Sequence, residues 1–129
     1  MFLATNIAFV LAFIFYILSI LIHVLVIKKV IPYHYVNGGR STSYEEQKDV
    51  SVKSIAVLLV LFLFVIIGLV FPSTKESFLY MIIGFTLTAF FMFGTIMQLL
   101  GSPFERYLVS IINLLGVLAH LGLALHYFV

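Results

Sequence analysis

The stretch from Asn37 to Ser43, NGGRSTS, is the part of this sequence whose residue types suggest binding chemistry. Asn-Gly-Gly is typical of a turn with positive φ, and such a turn can direct backbone N–H groups toward an anion. Arg40 adds a planar guanidinium that suits phosphate, and a following helix start would add further donors. The pattern predicts an anion or lipid-headgroup site formed by Asn37, Gly38, Gly39, Arg40, Ser41, Thr42 and Ser43.

The same stretch has a plainer interpretation, as a turn followed by the N-cap of a helix. Ser43 and Glu46 have the spacing of a capping box, which predicts that the second helix begins near Tyr44. In this interpretation Arg40 only adds positive charge to the loop. A docking surface for another protein is a third interpretation.

A second group of polar side chains lies inside the apolar runs of the sequence. Polar groups are costly in lipid, so they either bond one another between helices or mark a functional path. Spacings of three and four place them on single helix faces, and a rise of about 1.5 Å per residue gives their depth. By depth, His23, Gln98 and Asn113 share one half of the membrane, and His120 falls just beyond the midplane. The predicted polar cluster consists of His23, Thr95, Gln98, Asn113 and His120.

Catalytic and metal chemistry receive little support from the sequence. The chain has no cysteine, which excludes disulfides, thiolate ligands and a cysteine nucleophile. No acidic residue lies within an apolar run, so no paired carboxylates are available there. The histidines at 23, 34, 120 and 126 lack the short spacings of a zinc site and the matched depth of a haem site. We expect no catalytic residue, no metal and no cofactor.

Transmembrane helices must position these side chains. Of the 129 residues, 64% are hydrophobic and 9% are charged, too few charges to cover a soluble domain. The net charge of +2 is dispersed and gives no basis for nucleic-acid binding. Apolar runs of about 20 residues span a bilayer as helices, and the first run lacks the features of a cleaved signal peptide. The predicted spans are 5–27, 54–71, 78–99 and 107–128.

The predicted fold is an all-α integral membrane protein, a single domain over 1–129. Short links after the second and third spans favour an antiparallel bundle of four transmembrane helices, with the second helix extended into the loop 28–53. Six of the seven basic residues flank the same side, and only Lys75 falls on the other. We therefore expect both termini outside and the loop 28–53 in the cytoplasm, in a cell membrane of the bacterial plasma-membrane type.

The functional expectation is a non-enzymatic small polytopic membrane protein that acts as an accessory, immunity or lipid-sensing module. Membrane lipids are the expected ligands, and a membrane-protein partner or self-association is a further expected contact. The alternative is an oligomeric small channel or carrier lined by the polar residues of helices 1, 3 and 4. A third hypothesis is a lipid enzyme that uses His23, His34 and Arg40 at headgroup level.

Overall fold

The structure is a computed structural model that describes residues 2–129. Four long helices account for most of these residues, and no strand occurs among them: α1 (Phe2–Ile27), α2 (Tyr44–Val70), α3 (Phe78–Leu99) and α4 (Ser110–Leu125). A π-helical segment, Glu105–Val109, leads into α4 without a break, and a 3-10 turn, His126–Phe128, follows it. With these segments α4 is, like α1, α2 and α3, long and apolar enough to cross a membrane. The expected all-helical class is confirmed, and so is the expectation of four helices long and apolar enough to cross a membrane.

The start of α2 follows from its capping residues. Ser43 is extended, and its side chain accepts a hydrogen bond from the Glu46 N–H at 3.2 Å. The Glu46 carboxylate reaches back one residue further than a capping box requires, to Thr42, whose backbone N–H and hydroxyl donate at 2.9 Å and 2.7 Å. These two bonds hold the pKa of the Glu46 carboxyl below its usual range, and the bond from the Thr42 backbone N–H has the larger effect. The helix begins at Tyr44, as the spacing predicts, and precedes its apolar run by several turns.

The helices pack with α1 between α2 and α4, while α4 also packs against α3. Helices α2 and α3 make few backbone contacts with each other. A bridge joins them at one level, where Tyr80 donates its hydroxyl to the Phe64 carbonyl at 2.9 Å and the two rings stack at 4.0 Å. Gly68 makes room for the Tyr80 ring, because a Cβ there would overlap it. Nearer the loop, α2 and α3 stand apart.

Small residues let α4 approach its two main neighbours closely. Gly84 of α3 faces Ala124, and Gly122 of α4 faces Ala8 of α1. A Cβ added at either glycine would lie 2.8 Å from the alanine methyl group. Such contacts are typical of membrane helices, because close packing and polar bonds hold them together where lipid provides no hydrophobic driving force.

Side-chain contacts tie the helix ends together. At one end, the Thr5 hydroxyl lies 2.9 Å from His126 Nδ1. At the other end, the Tyr44 hydroxyl donates to the Ile27 carbonyl. The loop between α1 and α2 lies at this second end, and so do the residues of the predicted anion site.

Candidate functional site

The Asn-Gly-Gly turn adopts the left-handed backbone that its sequence predicts. Asn37, Gly38 and Gly39 have φ angles of 55°, 63° and 70°. The Gly38 N–H donates to Glu105 Oε1 at 2.8 Å. Glu105 is 6% exposed, so the turn already binds an anion, the carboxylate of the protein's own fourth helix.

Glu105 is a site residue that the NGGRSTS pattern does not reveal, although the sequence carries a signal for it. Residues 102–105 read SPFE, a capping box with proline at the first helical position. The Ser102 hydroxyl accepts from the Glu105 N–H at 3.2 Å, and the Ser102 N–H donates to Glu105 Oε1 at 3.4 Å. Ser102 also donates its hydroxyl to the Tyr35 carbonyl at 2.6 Å. This capping box therefore starts the fourth helix and fastens the loop to it.

Arg40 is exposed and is oriented by the turn. Its Nε donates to the Asn37 carbonyl at 3.0 Å, and its Nη2 donates to Asn37 Oδ1 at 2.9 Å. Within residues 2–129, no hydrogen bond engages Nη1. One edge of the guanidinium is thus fixed by the protein, and the other remains available to an anion.

Ser41 belongs to a hydrogen-bonded chain that runs from the loop into the helices. Asn37 Nδ2 donates to Ser41 Oγ at 3.4 Å, and Ser41 donates to Gln47 Oε1 at 2.7 Å. Gln47 Nε2 donates to Ser51 Oγ at 3.0 Å, and that oxygen lies 3.1 Å from His23 Nδ1. Gln47 and Ser51 are fully buried. In the sequence, their i, i+4 spacing indicates that both side chains lie on the same face of α2.

This chain of hydrogen bonds ends at a cleft between α2 and α3. Residues of α1 and α4 form the floor of the cleft. The cleft has an outer lobe of about 630 Å³ beside the loop and an inner lobe of about 440 Å³. Small-molecule sites are typically about 300–1,000 Å³. His23, Ser54, Gln98 and Asn113 line both lobes and form a polar junction between them. Most other lining side chains of the inner lobe are apolar.

The structure brings four members of the predicted polar cluster to this level. His23, Gln98 and Asn113 lie at the junction, and Asn113 Nδ2 donates to the Phe91 carbonyl at 3.0 Å and to Thr95 Oγ1 at 3.4 Å. Gln98 Oε1 is buried and has no hydrogen-bond partner among the described residues. A buried acceptor without a partner is costly, so a further donor at this place would be stabilising.

His120 lies apart from the junction, in an aromatic core. It is fully buried, with Nδ1 2.6 Å from the Gly116 carbonyl and Nε2 2.8 Å from the Tyr16 hydroxyl. Because a carbonyl can only accept, Nδ1 carries the proton and Tyr16 donates to Nε2. Both ring nitrogens are satisfied within the protein. His120 therefore joins α1 to α4 and does not face the cleft.

The fold and the site together define a class, a helical protein with four helices long and apolar enough to cross a membrane and a cleft between two of them. Among residues 2–129, no three histidine, aspartate or glutamate side chains are grouped to hold a metal ion. Comparisons with family models, with curated proteins and with solved structures gave no match. The function is therefore inferred from the cleft, its junction and its charged edge.

Proposed function

We propose that this protein is a non-enzymatic membrane protein that binds an anionic membrane lipid in the cleft between α2 and α3, as an accessory, immunity or lipid-sensing module. The cleft is the observation that carries the proposal. Its apolar inner lobe, polar junction and basic outer edge follow the order of a lipid's chain, linker and headgroup. Val57 of α2 and Phe90 of α3, at its borders, are 51% and 56% exposed, so the cleft is accessible from the bilayer side.

The charges around the cleft suit an anionic headgroup. Arg40 lines the outer lobe, as does Glu105, whose carboxylate is bound by the Gly38 and Ser102 N–H groups, and Lys53 lines the inner lobe. Lys53 pairs with Asp49 at 2.8 Å, but both side chains are exposed, and such pairs contribute only about 0–1 kcal/mol. Lys53 can therefore exchange this partner for a phosphate. Because Glu105 already occupies the turn, the proposed headgroup site uses the Arg40 side chain in place of the turn amides.

The proposal includes an orientation. The end of the helices that carries the loop 28–53 holds six of the seven basic residues, so we assign this end to the cytoplasm and both termini to the outside of a bacterial plasma membrane. In this assignment the four helices form an antiparallel bundle. Anionic lipids give the cytoplasmic leaflet a negative surface potential. The basic edge of the cleft would then face the leaflet surface where its ligand is found.

An oligomeric channel or carrier lined by helices 1, 3 and 4 has less support from the geometry. Tyr16 and His120 bond each other, and Asn113 bonds Thr95 on the neighbouring helix. Thr88 donates to a carbonyl of its own helix. These polar groups are satisfied by protein atoms, whereas a water-filled path would need them to face an open space.

Replacing Arg40 with alanine is expected to lower the retention of phosphatidylglycerol about tenfold, because one hydrogen bond to a charged group contributes about 1.5–3 kcal/mol. The measurement is native mass spectrometry of the protein released from nanodiscs that contain equal amounts of phosphatidylglycerol and phosphatidylcholine. It reports bound lipid and the number of subunits together.

Lys48→Ala is the matched control, since Lys48 is an exposed basic residue of α2 that does not line the cleft. It should retain phosphatidylglycerol as the unchanged protein does. Equal retention by the unchanged protein and by Arg40→Ala would count against the headgroup site. A closed oligomer free of lipid would favour the channel.

A further inference from the structure

The hydrogen-bonded chain from the loop to His23 has a direction, and continuing this direction assigns the proton on the His23 ring. The Gln47 amide nitrogen can only donate, so Ser51 Oγ accepts from it and keeps its own proton for another partner. Among the described residues, His23 Nδ1, at 3.1 Å, is the one acceptor within reach of that proton, so the Ser51 hydroxyl is assigned as the donor. Because Nδ1 accepts, the proton of the neutral ring is on Nε2. His23 lines both lobes of the cleft, where this Nε2–H is available to an occupant.

The junction thus offers one donor and one acceptor, His23 Nε2–H and the unpartnered Gln98 Oε1. An occupant that satisfies both brings an acceptor and a donor of its own. His23 lies four residues before the end of α1, and Gln98 lies one residue before the end of α3. Both are therefore within about 6 Å of the helix ends at the loop. This depth corresponds to the linker of a lipid, between its headgroup and its chain.

A diacyl phospholipid offers an acceptor for the His23 Nε2–H but no donor for Gln98 Oε1. Its ester carbonyls accept hydrogen bonds, but its glycerol backbone has no free hydroxyl beside them. The hydroxyls of a phosphatidylglycerol headgroup lie beyond the phosphate, on its far side from the ester carbonyls. A lysophospholipid carries one ester and one free hydroxyl on adjacent carbons of the same glycerol, which is the missing combination.

The inner lobe suits the acyl chain of such a lipid. Its walls include the apolar side chains of Phe15, Leu58 and Leu61. The Phe64–Tyr80 bridge joins α2 to α3 about one helical turn beyond Leu61. An acyl chain that enters from the loop end therefore meets an apolar pocket of about 440 Å³ and then the Phe64–Tyr80 bridge.

We infer that the cleft selects an anionic single-chain lysophospholipid. Its phosphate contacts Arg40, its free hydroxyl donates to Gln98 Oε1, and its ester carbonyl accepts from His23 Nε2–H. Its chain occupies the inner lobe. This inference rests on the proposed function and narrows it from anionic lipids in general to one class of them.

Two probes that differ in a single donor test this selection. One is a 1-acyl-2-hydroxy glycerophosphoglycerol, and the other is its 2-O-methyl ether, with the same charge and chain. Both are added in equal amounts, together with the same amount of diacyl phosphatidylglycerol, to the full chain in phosphatidylcholine nanodiscs, and native mass spectrometry separates the bound forms. The unchanged protein should retain the hydroxy probe about tenfold more, the difference expected between a satisfied and an unsatisfied buried acceptor.

Gln98→Leu keeps the size of the side chain and removes the acceptor. It should abolish the preference between the two probes while binding through Arg40 continues. The comparison on the unchanged protein needs no variant, so a folding defect in Gln98→Leu does not obscure the result. Equal retention of the probes, or stronger retention of diacyl phosphatidylglycerol than of the hydroxy probe, would overturn the inference and leave the proposed function standing. Retention of no lipid of either class would overturn both.

Discussion

His120→Leu is expected to insert normally and to lower the free energy of unfolding by about 2–4 kcal/mol. The substitution leaves the Tyr16 hydroxyl without its acceptor in a core from which water and lipid are excluded, at a cost of about 1–3 kcal/mol. Ring contacts are lost as well, because the His120 ring lies 4.9 Å from that of Phe91 and 5.6 Å from that of Tyr16. Each aromatic contact contributes about 0.5–1.5 kcal/mol. Reversible unfolding in mixed micelles, followed by circular dichroism, measures the change.

A double-mutant cycle of His120→Leu, Tyr16→Phe and the double variant separates the hydrogen bond from the ring contacts. Adding Tyr16→Phe to His120→Leu removes the stranded hydroxyl and should restore about 1 kcal/mol relative to His120→Leu alone. Leu118→Ala in the same helix, at a side chain 48% exposed, is the control for a change outside the core. If the double variant recovers nothing, the bond between Tyr16 and His120 does not stabilise the core.

Glu105→Ala is expected to release the loop from the fourth helix and to lower the free energy of unfolding by about 2 kcal/mol. The carboxylate accepts from the N–H groups of Gly38 and Ser102, and hydrogen bonds to a charged group contribute about 1.5–3 kcal/mol. Amide hydrogen exchange, measured together with unfolding, should show faster exchange at Gly38. Glu45→Ala is the control, since Glu45 is an exposed acid in the first turn of α2.

The opposite result has a definite meaning for the turn. If Glu105→Ala changes neither the exchange at Gly38 nor the stability, the carboxylate is not the anion that the turn binds. The turn amides would then be available to an external headgroup, as the NGGRSTS pattern alone predicts. The lipid site would move from the Arg40 side chain to the backbone of Gly38 and Gly39.

The helices were predictable because length and composition leave few alternatives. Continuous apolar runs of about 20 residues, in a chain with 9% charged residues, satisfy their backbone groups only as helices in lipid. The start of α2 was also predictable, because it depends on two nearby residues, Ser43 and Glu46, which are three residues apart. The carboxylate that the turn binds could not be predicted in this way, because it is distant in the sequence. Gly38 and Glu105 are separated by 67 residues, and no pattern around the turn indicates which distant carboxylate reaches it.

The polar residues could be identified from the sequence more readily than their grouping. Helix face and depth bring His23, Gln98 and Asn113 to one level, and the structure adds that they border a cleft. The position of His120 depends on the Tyr16 hydroxyl of another helix, which a pattern within α4 does not contain. Gln47 is outside the apolar runs, so a search of those runs passes over it, although it is fully buried.

Photo-cross-linking tests most directly the central claim that a lipid occupies the cleft between α2 and α3. An anionic phospholipid with a diazirine in its chain is incorporated into nanodiscs with excess phosphatidylcholine, and the adducts are mapped by peptide mass spectrometry. We expect adducts to concentrate on Leu58, Leu61 and Phe91, which line the cleft. Adducts spread evenly over outward-facing side chains such as Ile17 and Leu118, without enrichment in the cleft, would contradict the claim.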